Sequence, residues 1–259
     1  ADVDAGAKAR AEAARRGYDD VNIEAFGLGA APAKFDALAD GVRRAIKNAG
    51  SDYPSFDAFV QAGVIRPARS GGGFVDLLRD RLVFPICDDL GRPIAFGGRK
   101  LDPEQEPKYL NSPESPVFHK SKALYGIDRA KRSIIETKTA IITEGYTDVM
   151  ACHLAGVTTA VATCGTAFGD EHIRQLNRIL SDDPANPAAV IFNFDPDEAG
   201  QKAAMRAFND ASKFNAQTFM AIGPDGLDPS DLRTQRGDAA VVEMIANKKP
   251  LLEFAIGRS

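Results

Sequence analysis

The sequence predicts an α/β protein in which a parallel sheet flanked by helices follows a mixed α+β subdomain. Two observations carry that reading. From Lys138 onward, short apolar runs alternate strictly with amphipathic stretches of helical length. That rhythm calls for parallel strands joined by crossover helices. Before Thr137 the pattern is mixed, and Pro and Gly interrupt it often. The composition is that of a packed chain: 44% of the 259 residues are hydrophobic and 26% charged, which excludes wholesale disorder. No apolar run approaches the roughly 20 residues that span a bilayer, so no membrane partner is expected.

In the first part, Ala7 to Arg16 and Phe35 to Ala49 carry helical signals, and Gly71-Gly72-Gly73 reads as a flexible turn. Arg81 to Ile86 and Asp88 to Phe96 form a β-hairpin with a short polar loop. Lys108 to Pro116, bounded by Pro107, Pro113 and Pro116, is expected to be an irregular extended loop. In the second part, Ala140 to Glu144 is a strand, Thr147 to Ala155 a helix, Val157 to Thr163 a strand and Asp170 to Leu180 a helix. Ala189 to Phe194 is a third strand, Glu198 to Phe214 a helix, Gln217 to Ile222 a fourth strand and Asp238 to Asn247 a helix. The predicted subdomains are residues 1–122 (basic, α+β), 123–237 (the sheet) and 238–259 (the start of a further helical segment).

In a sheet of this kind, ligands bind beyond the carboxyl ends of the strands. Acidic residues fall there: Glu144 and Asp148 after the first strand, Asp195 and Asp197 after the third, Asp228 and Asp231 after the fourth. Singly, each reads as a turn or a helix start. Together they read as a divalent-cation site, because carboxylates crowded into one volume repel unless a cation neutralises them. Mg²⁺ suits such a set, taking few carboxylates and filling its shell with water and phosphate oxygens. The charge is uneven too. Arg66 to Arg132 holds 13 Lys/Arg against 9 Asp/Glu, whereas Lys138 to Ser259 holds 11 against 16, within a net charge of −4.

Glu144-Gly-x-x-Asp148, Gly165-Thr166-Ala167 and Asp195-x-Asp197-x-Ala199-Gly200 resemble the TOPRIM fold of primases, topoisomerases and some nucleases. Arg81 to Ile86, Phe96-Gly97-Gly98-Arg99, Pro107 to Glu114, Phe118-His119-Lys120 and Leu124-Tyr125-Gly126 narrow the resemblance to the catalytic core of DnaG-type bacterial DNA primases, from about Ala9 to the C-terminus. The sequence departs from the family at Ser230, where a second Asp is often found; Asp231 is its possible substitute.

The resemblance implies template-directed synthesis of short RNA primers on single-stranded DNA from ribonucleoside triphosphates. It makes Glu144, Asp148, Asp195, Asp197 and Asp228 ligands of Mg²⁺, for which Mn²⁺ can substitute, with two ions about 3.5–4 Å apart. Glu144 is either a ligand or a general base. Arg79, Arg81, Arg99, Lys108, Asn111 and Lys120 are the expected nucleotide and DNA contacts. The basic residues among them, with Lys122, are interleaved with Phe84, Phe96, Tyr109 and Phe118, as phosphate binding with base stacking requires. Phe84 and Phe96 are nevertheless expected in the strand core. Arg99 follows two glycines whose backbone would approach phosphates closely.

No metal spacing links His119, His153 and His172, and His153 and His172 are expected on helix surfaces. Cys87, Cys152 and Cys164 form neither a disulfide framework nor a zinc site and fit a reducing, cytoplasmic setting. The absent initiator Met suggests a fragment, and a monomer is expected. By the resemblance, replicative helicase and single-strand-binding protein would engage regions outside it. The alternatives are a TOPRIM nuclease or topoisomerase-type enzyme and a non-catalytic single-strand-binding module.

Overall fold

A computed structural model describes residues 3–50, 53–69, 71–180, 187–194, 205, 209–210, 213–214 and 216–256. The chain divides into two compact units, one of Ala1–Ile86 with Pro93–His119, the other of Cys87–Arg92 with Lys120–Ser259.

The first unit opens with helices α1 (Val3–Arg15) and α2 (Asp20–Phe26). A reciprocal cap between Asp19 and Asn22 starts α2, and Gly27, at φ 64°, ends it. Strands β1 (Gly29–Ala31), β4 (Arg81–Cys87), β5 (Pro93–Lys100) and β6 (Tyr109–Asn111) form one sheet in the order β1-β4-β5-β6. The predicted hairpin is β4 and β5. Its turn closes where Asp88 Oδ1 accepts the backbone N–H of Leu90 and Arg92, with Gly91 at φ 79°. The predicted loop over Lys108–Pro116 instead contributes β6, because Tyr109 to Asn111 pair with β5.

Helices α3 (Ala37–Ala49) and α4 (Phe56–Gln61) pack with the ribbon of β2 (Ile65–Pro67) and β3 (Phe74–Asp76) around Ala39, Val42 and Ile65. Asp76 is buried at the start of α3, accepting the N–H of Leu38 at 2.6 Å and of Ala39 at 3.0 Å. It satisfies donors that a helix N-terminus leaves open.

The second unit is built on a six-stranded sheet in the order β12-β11-β10-β8-β9-β7. Its central strands, β8 (Thr139–Thr143), β9 (Ala160–Thr163), β10 (Ala188–Phe192) and β11 (Ala216–Met220), are parallel. The edges depart from the all-parallel expectation: β7 (Leu124–Tyr125) and β12 (Lys249–Pro250) run antiparallel to their neighbours. The alternation of side chains along a strand sends Ala140, Ile142, Val190 and Phe192 into one core, under α5 (Ile127–Thr137) and α7 (Asp170–Leu180). Ile141 and Ile191 point into the other core, under α6 (Tyr146–Leu154) and the helices Pro229–Arg236 and Asp238–Ala246. Both faces of the sheet are therefore covered, as expected. Helices α5 and Pro229–Arg236 were not expected. The helix expected over Glu198–Phe214 lies largely outside the described residues.

Candidate active site

Three parallel strands end together. Ile142 of β8 pairs with Phe192 of β10, and Phe192 pairs with Met220 of β11. Just beyond, Asn193 ties the three ends. Its backbone N–H donates to Ile142 O at 2.8 Å, its side-chain Nδ2 donates to Ala221 O at 3.0 Å, and it is 5% exposed. A buried amide is costly unless bonded, so Asn193 fixes the shape of this edge. Sequence reading passed it over; the signal is a lone amide inside the apolar run Val190-Ile191-Phe192-Asn193-Phe194.

Glu144 leaves β8 at this edge and is exposed. Asp148, four residues on, is buried in the first turn of α6 and accepts the Gly145 N–H through Oδ2 at 3.0 Å. Gly145 is constrained by this contact, since a Cβ there would lie 3.1 Å from the same oxygen. Asp228 is the N-cap of the helix Pro229–Arg236, accepting the Asp231 N–H at 2.6 Å. That helix packs against α6. Ser230 is buried, whereas Asp231 is exposed in the first turn. Asp195 and Asp197 lie outside the described residues, and among the described residues no three His, Cys, Asp or Glu side chains gather as a metal cluster. The donors present are carboxylate oxygens, which fit a hard cation such as Mg²⁺.

The cationic set divides. Lys108 is exposed, and Asn111 and Lys120 are partly exposed. Arg79 lies with its guanidinium 4.8 Å from the Phe35 ring centroid. Arg81 is only 2% exposed, contrary to the expectation of a phosphate-facing side chain. It donates to the carbonyls of Gly98 at 2.9 Å, Pro107 at 2.9 Å and Lys108 at 3.4 Å, pinning the segment that presents Lys108. Burial, with Arg79 nearby, pulls its pKa below the ordinary arginine range.

The glycines before Arg99 are buried strand residues. A Cβ on Gly98 would meet Leu78 at 2.8 Å and Arg81 at 2.9 Å, so the glycine makes room for side chains and not for phosphate. Arg99 is 9% exposed; it donates through Nε to Glu12 at 2.8 Å and through Nη1 to the Tyr109 hydroxyl at 2.9 Å. Glu12 also receives Arg15 and Arg16. Phe118, like Phe84, is fully buried and belongs to the core.

His172 corrects another expectation: it is 1% exposed. Its Nδ1 accepts the Gly169 N–H, its Nε2 meets Lys120 O at 3.2 Å, and the ring stacks on Phe168. It therefore anchors the main chain at Lys120. His153 is half-buried, with Nε2 2.9 Å from Ala160 O. Cys164 packs at the end of β9, as expected, and burial pushes its thiol up to about 12.

Over 98% of its length the chain superposes on the crystal structure of the RNA polymerase domain of Mycobacterium tuberculosis primase DnaG, with a TM-score of 0.88 and 43% identity, covering 80% of that chain. This chain belongs to the DnaG-type DNA primase family.

The same M. tuberculosis domain in complex with a double-stranded DNA oligomer with a 6-nucleotide overhang matches this DnaG-type chain with a TM-score of 0.84 and 42% identity, over 96% of this chain and 76% of that one. Residues 3–131 match the DNA primase catalytic core, N-terminal domain, and residues 138–219 the Toprim domain. The TOPRIM expectation for the sheet is thus borne out. The DNA primase of Streptomyces coelicolor is 48% identical over 248 residues, which are 95% of this chain but 37% of that protein. The DnaG-type chain therefore spans little more than a third of the length of such curated relatives.

Proposed function

We propose that this chain carries the polymerising centre of a DNA primase, joining ribonucleotides into short RNA primers on a single-stranded DNA template. One observation carries the proposal: β8, β10 and β11 end together in a Toprim sheet, where Glu144 stands exposed; Asp195 follows Phe194 in the sequence. In the reaction the 3′-hydroxyl of the growing primer attacks the α-phosphorus of an incoming ribonucleoside triphosphate, and pyrophosphate leaves.

Glu144, Asp148, Asp195, Asp197 and Asp228 would hold Mg²⁺, or Mn²⁺ in its place. When bound, the cation neutralises charge on the triphosphate and lowers the pKa of the attacking hydroxyl. Glu144 serves as a ligand or as the base that takes the hydroxyl proton. Lys108 and Lys120 would offset phosphate charge, and Asn111 would hydrogen-bond the nucleotide. Arg81 and Arg99 act at one remove: Arg81 fixes the Lys108 segment and Arg99 fixes Tyr109. The setting is the cytoplasmic replication fork.

The test is to incubate the protein with single-stranded DNA, labelled ribonucleoside triphosphates and Mg²⁺ or Mn²⁺. RNA products that vanish in Asp195→Asn support the proposal. Cut DNA without RNA, or no product under either metal, refutes it.

A further inference from the structure

Helices α5 and α7 lie side by side in the second unit, and each turns one stripe of side chains toward the other. Lys131, Ile135 and Lys138 recur at helical spacing on and just past α5, as Glu171, Gln175 and Arg178 do on α7. Between the stripes lies a cavity of about 640 Å³, lined within the same unit by these residues together with Lys122. Lys138 immediately precedes β8 and Glu144 follows it, so Lys138 and the candidate active site stand at opposite ends of that strand. Extended chain of that length puts about 20 Å between the two backbone positions.

The cavity has cations to spare. Its carboxylates already hold partners: Asp89 accepts Lys131 Nζ at 2.7 Å, and Glu171 pairs with Arg174. Among the described residues the side chains of Lys122 and Arg178, both exposed, make no ion pair. Cations gathered around a concave place raise its potential and draw an anion.

Two further observations narrow the anion. Gln175 Oε1 is buried with no hydrogen-bond partner. An acceptor left open in this way is costly, and rotation about the soft terminal torsion of the amide turns it to the cavity, where it calls for an N–H or O–H. Ile135, 44% exposed, and Ile179 give the cavity apolar walls against which a flat ring fits. Pyrophosphate has anionic oxygens but no ring, and a sugar phosphate has no flat apolar face. A nucleotide has all three: phosphates, an apolar ring face, and N–H groups on the ring edge.

We propose that the groove between α5 and α7 is a second nucleotide site, apart from the polymerising centre, with phosphates on Lys122, Lys138 and Arg178 and the base edge on Gln175. It stands independently of the polymerising role proposed above.

The experiment titrates the full chain with mant-ADP, a fluorescent ADP, in the presence of EDTA, so that no divalent cation supports binding through the carboxylates beyond β8 and β10. Wild type and Asp195→Asn are expected to bind alike. Arg178→Ala and Lys122→Ala, at exposed side chains away from the core, are each expected to weaken binding about tenfold, the range of one lost charge-assisted contact. Gln175→Leu is expected to weaken mant-ADP about fivefold while pyrophosphate competes for the groove as well as it does in wild type. Absence of mant-ADP binding by wild type at millimolar concentration overturns the proposal. So does binding that Asp195→Asn abolishes, or that Arg178→Ala and Lys122→Ala leave unchanged, since the nucleotide then sits elsewhere. If Gln175→Leu binds mant-ADP as wild type does, the groove takes a bare anion and the assignment of a nucleotide is overturned.

Discussion

Replacing Arg81 with Met keeps the buried apolar stem and removes the guanidinium, so the loss isolates the hydrogen bonds. The two bonds at 2.9 Å, to Gly98 O and Pro107 O, are charge-assisted, and each contributes about 1.5–3 kcal/mol. The contact to Lys108 O at 3.4 Å is near the geometric limit and adds little. The gross loss is then about 3–6 kcal/mol. Relief from burying a charge offsets part of it, leaving about 3 kcal/mol. In a domain of this size that lowers Tm by roughly 10 °C. Thermal unfolding followed by circular dichroism measures it directly. An Arg81→Met chain that melts within about 2 °C of wild type while binding DNA tenfold more weakly would show that Arg81 contacts phosphate and that the structural argument is wrong.

Three further outcomes follow from the same geometry. Gly145→Ala drives a methyl against Asp148 Oδ2, so primer synthesis in the labelled-nucleotide assay falls about tenfold or more; full activity would contradict the contact. Burial holds the imidazoles of His172 and His153 below the ordinary value of 6.5, so a proton binds the unfolded chain more readily. Stability is full above that value and drops as the pH falls through it, by up to about 1.4 kcal/mol per pH unit for each histidine. Tm against pH checks this, with a shallower slope in His172→Gln. Cys152 and Cys164 are buried thiols with raised pKa values, so iodoacetamide leaves both intact in the folded chain and modifies them only in urea, read by mass spectrometry.

The sequence was most legible where local pattern and tertiary role agree. Helix α7 matches its predicted limits, because Ile173, Leu176 and Leu180 recur at helical spacing and are all buried. The β4–β5 hairpin was legible from its turn chemistry. Strands of two or three residues, such as β6, β7 and β12, offer no alternation to read and exist because a longer neighbour pairs with them. Helix Pro229–Arg236 was hidden by its polarity: its first residues read as an acidic ligand cluster, yet Asp228 caps the helix and Pro229 sits at its first position.

The strand pattern alone put Glu144 just past β8, and there it is exposed. Arg81 could not be placed in this way, because what buries it are carbonyls 17 and 26 residues away in sequence. A cation stretch interleaved with aromatics looks the same whether its arginines face phosphate or hold a loop. His172 was misplaced for a similar reason: a single histidine on a helix carries no sequence sign of the carbonyl it reaches at Lys120.

The claim on which the account turns is that the carboxylates beyond β8 and β10 act together on one divalent cation. Electron paramagnetic resonance of free Mn²⁺, titrated with wild type, Glu144→Gln and Asp195→Asn, measures this without requiring turnover. Wild type is expected to deplete the free-ion signal, and each variant to weaken binding about tenfold or more. Both variants binding Mn²⁺ as tightly as wild type would contradict it.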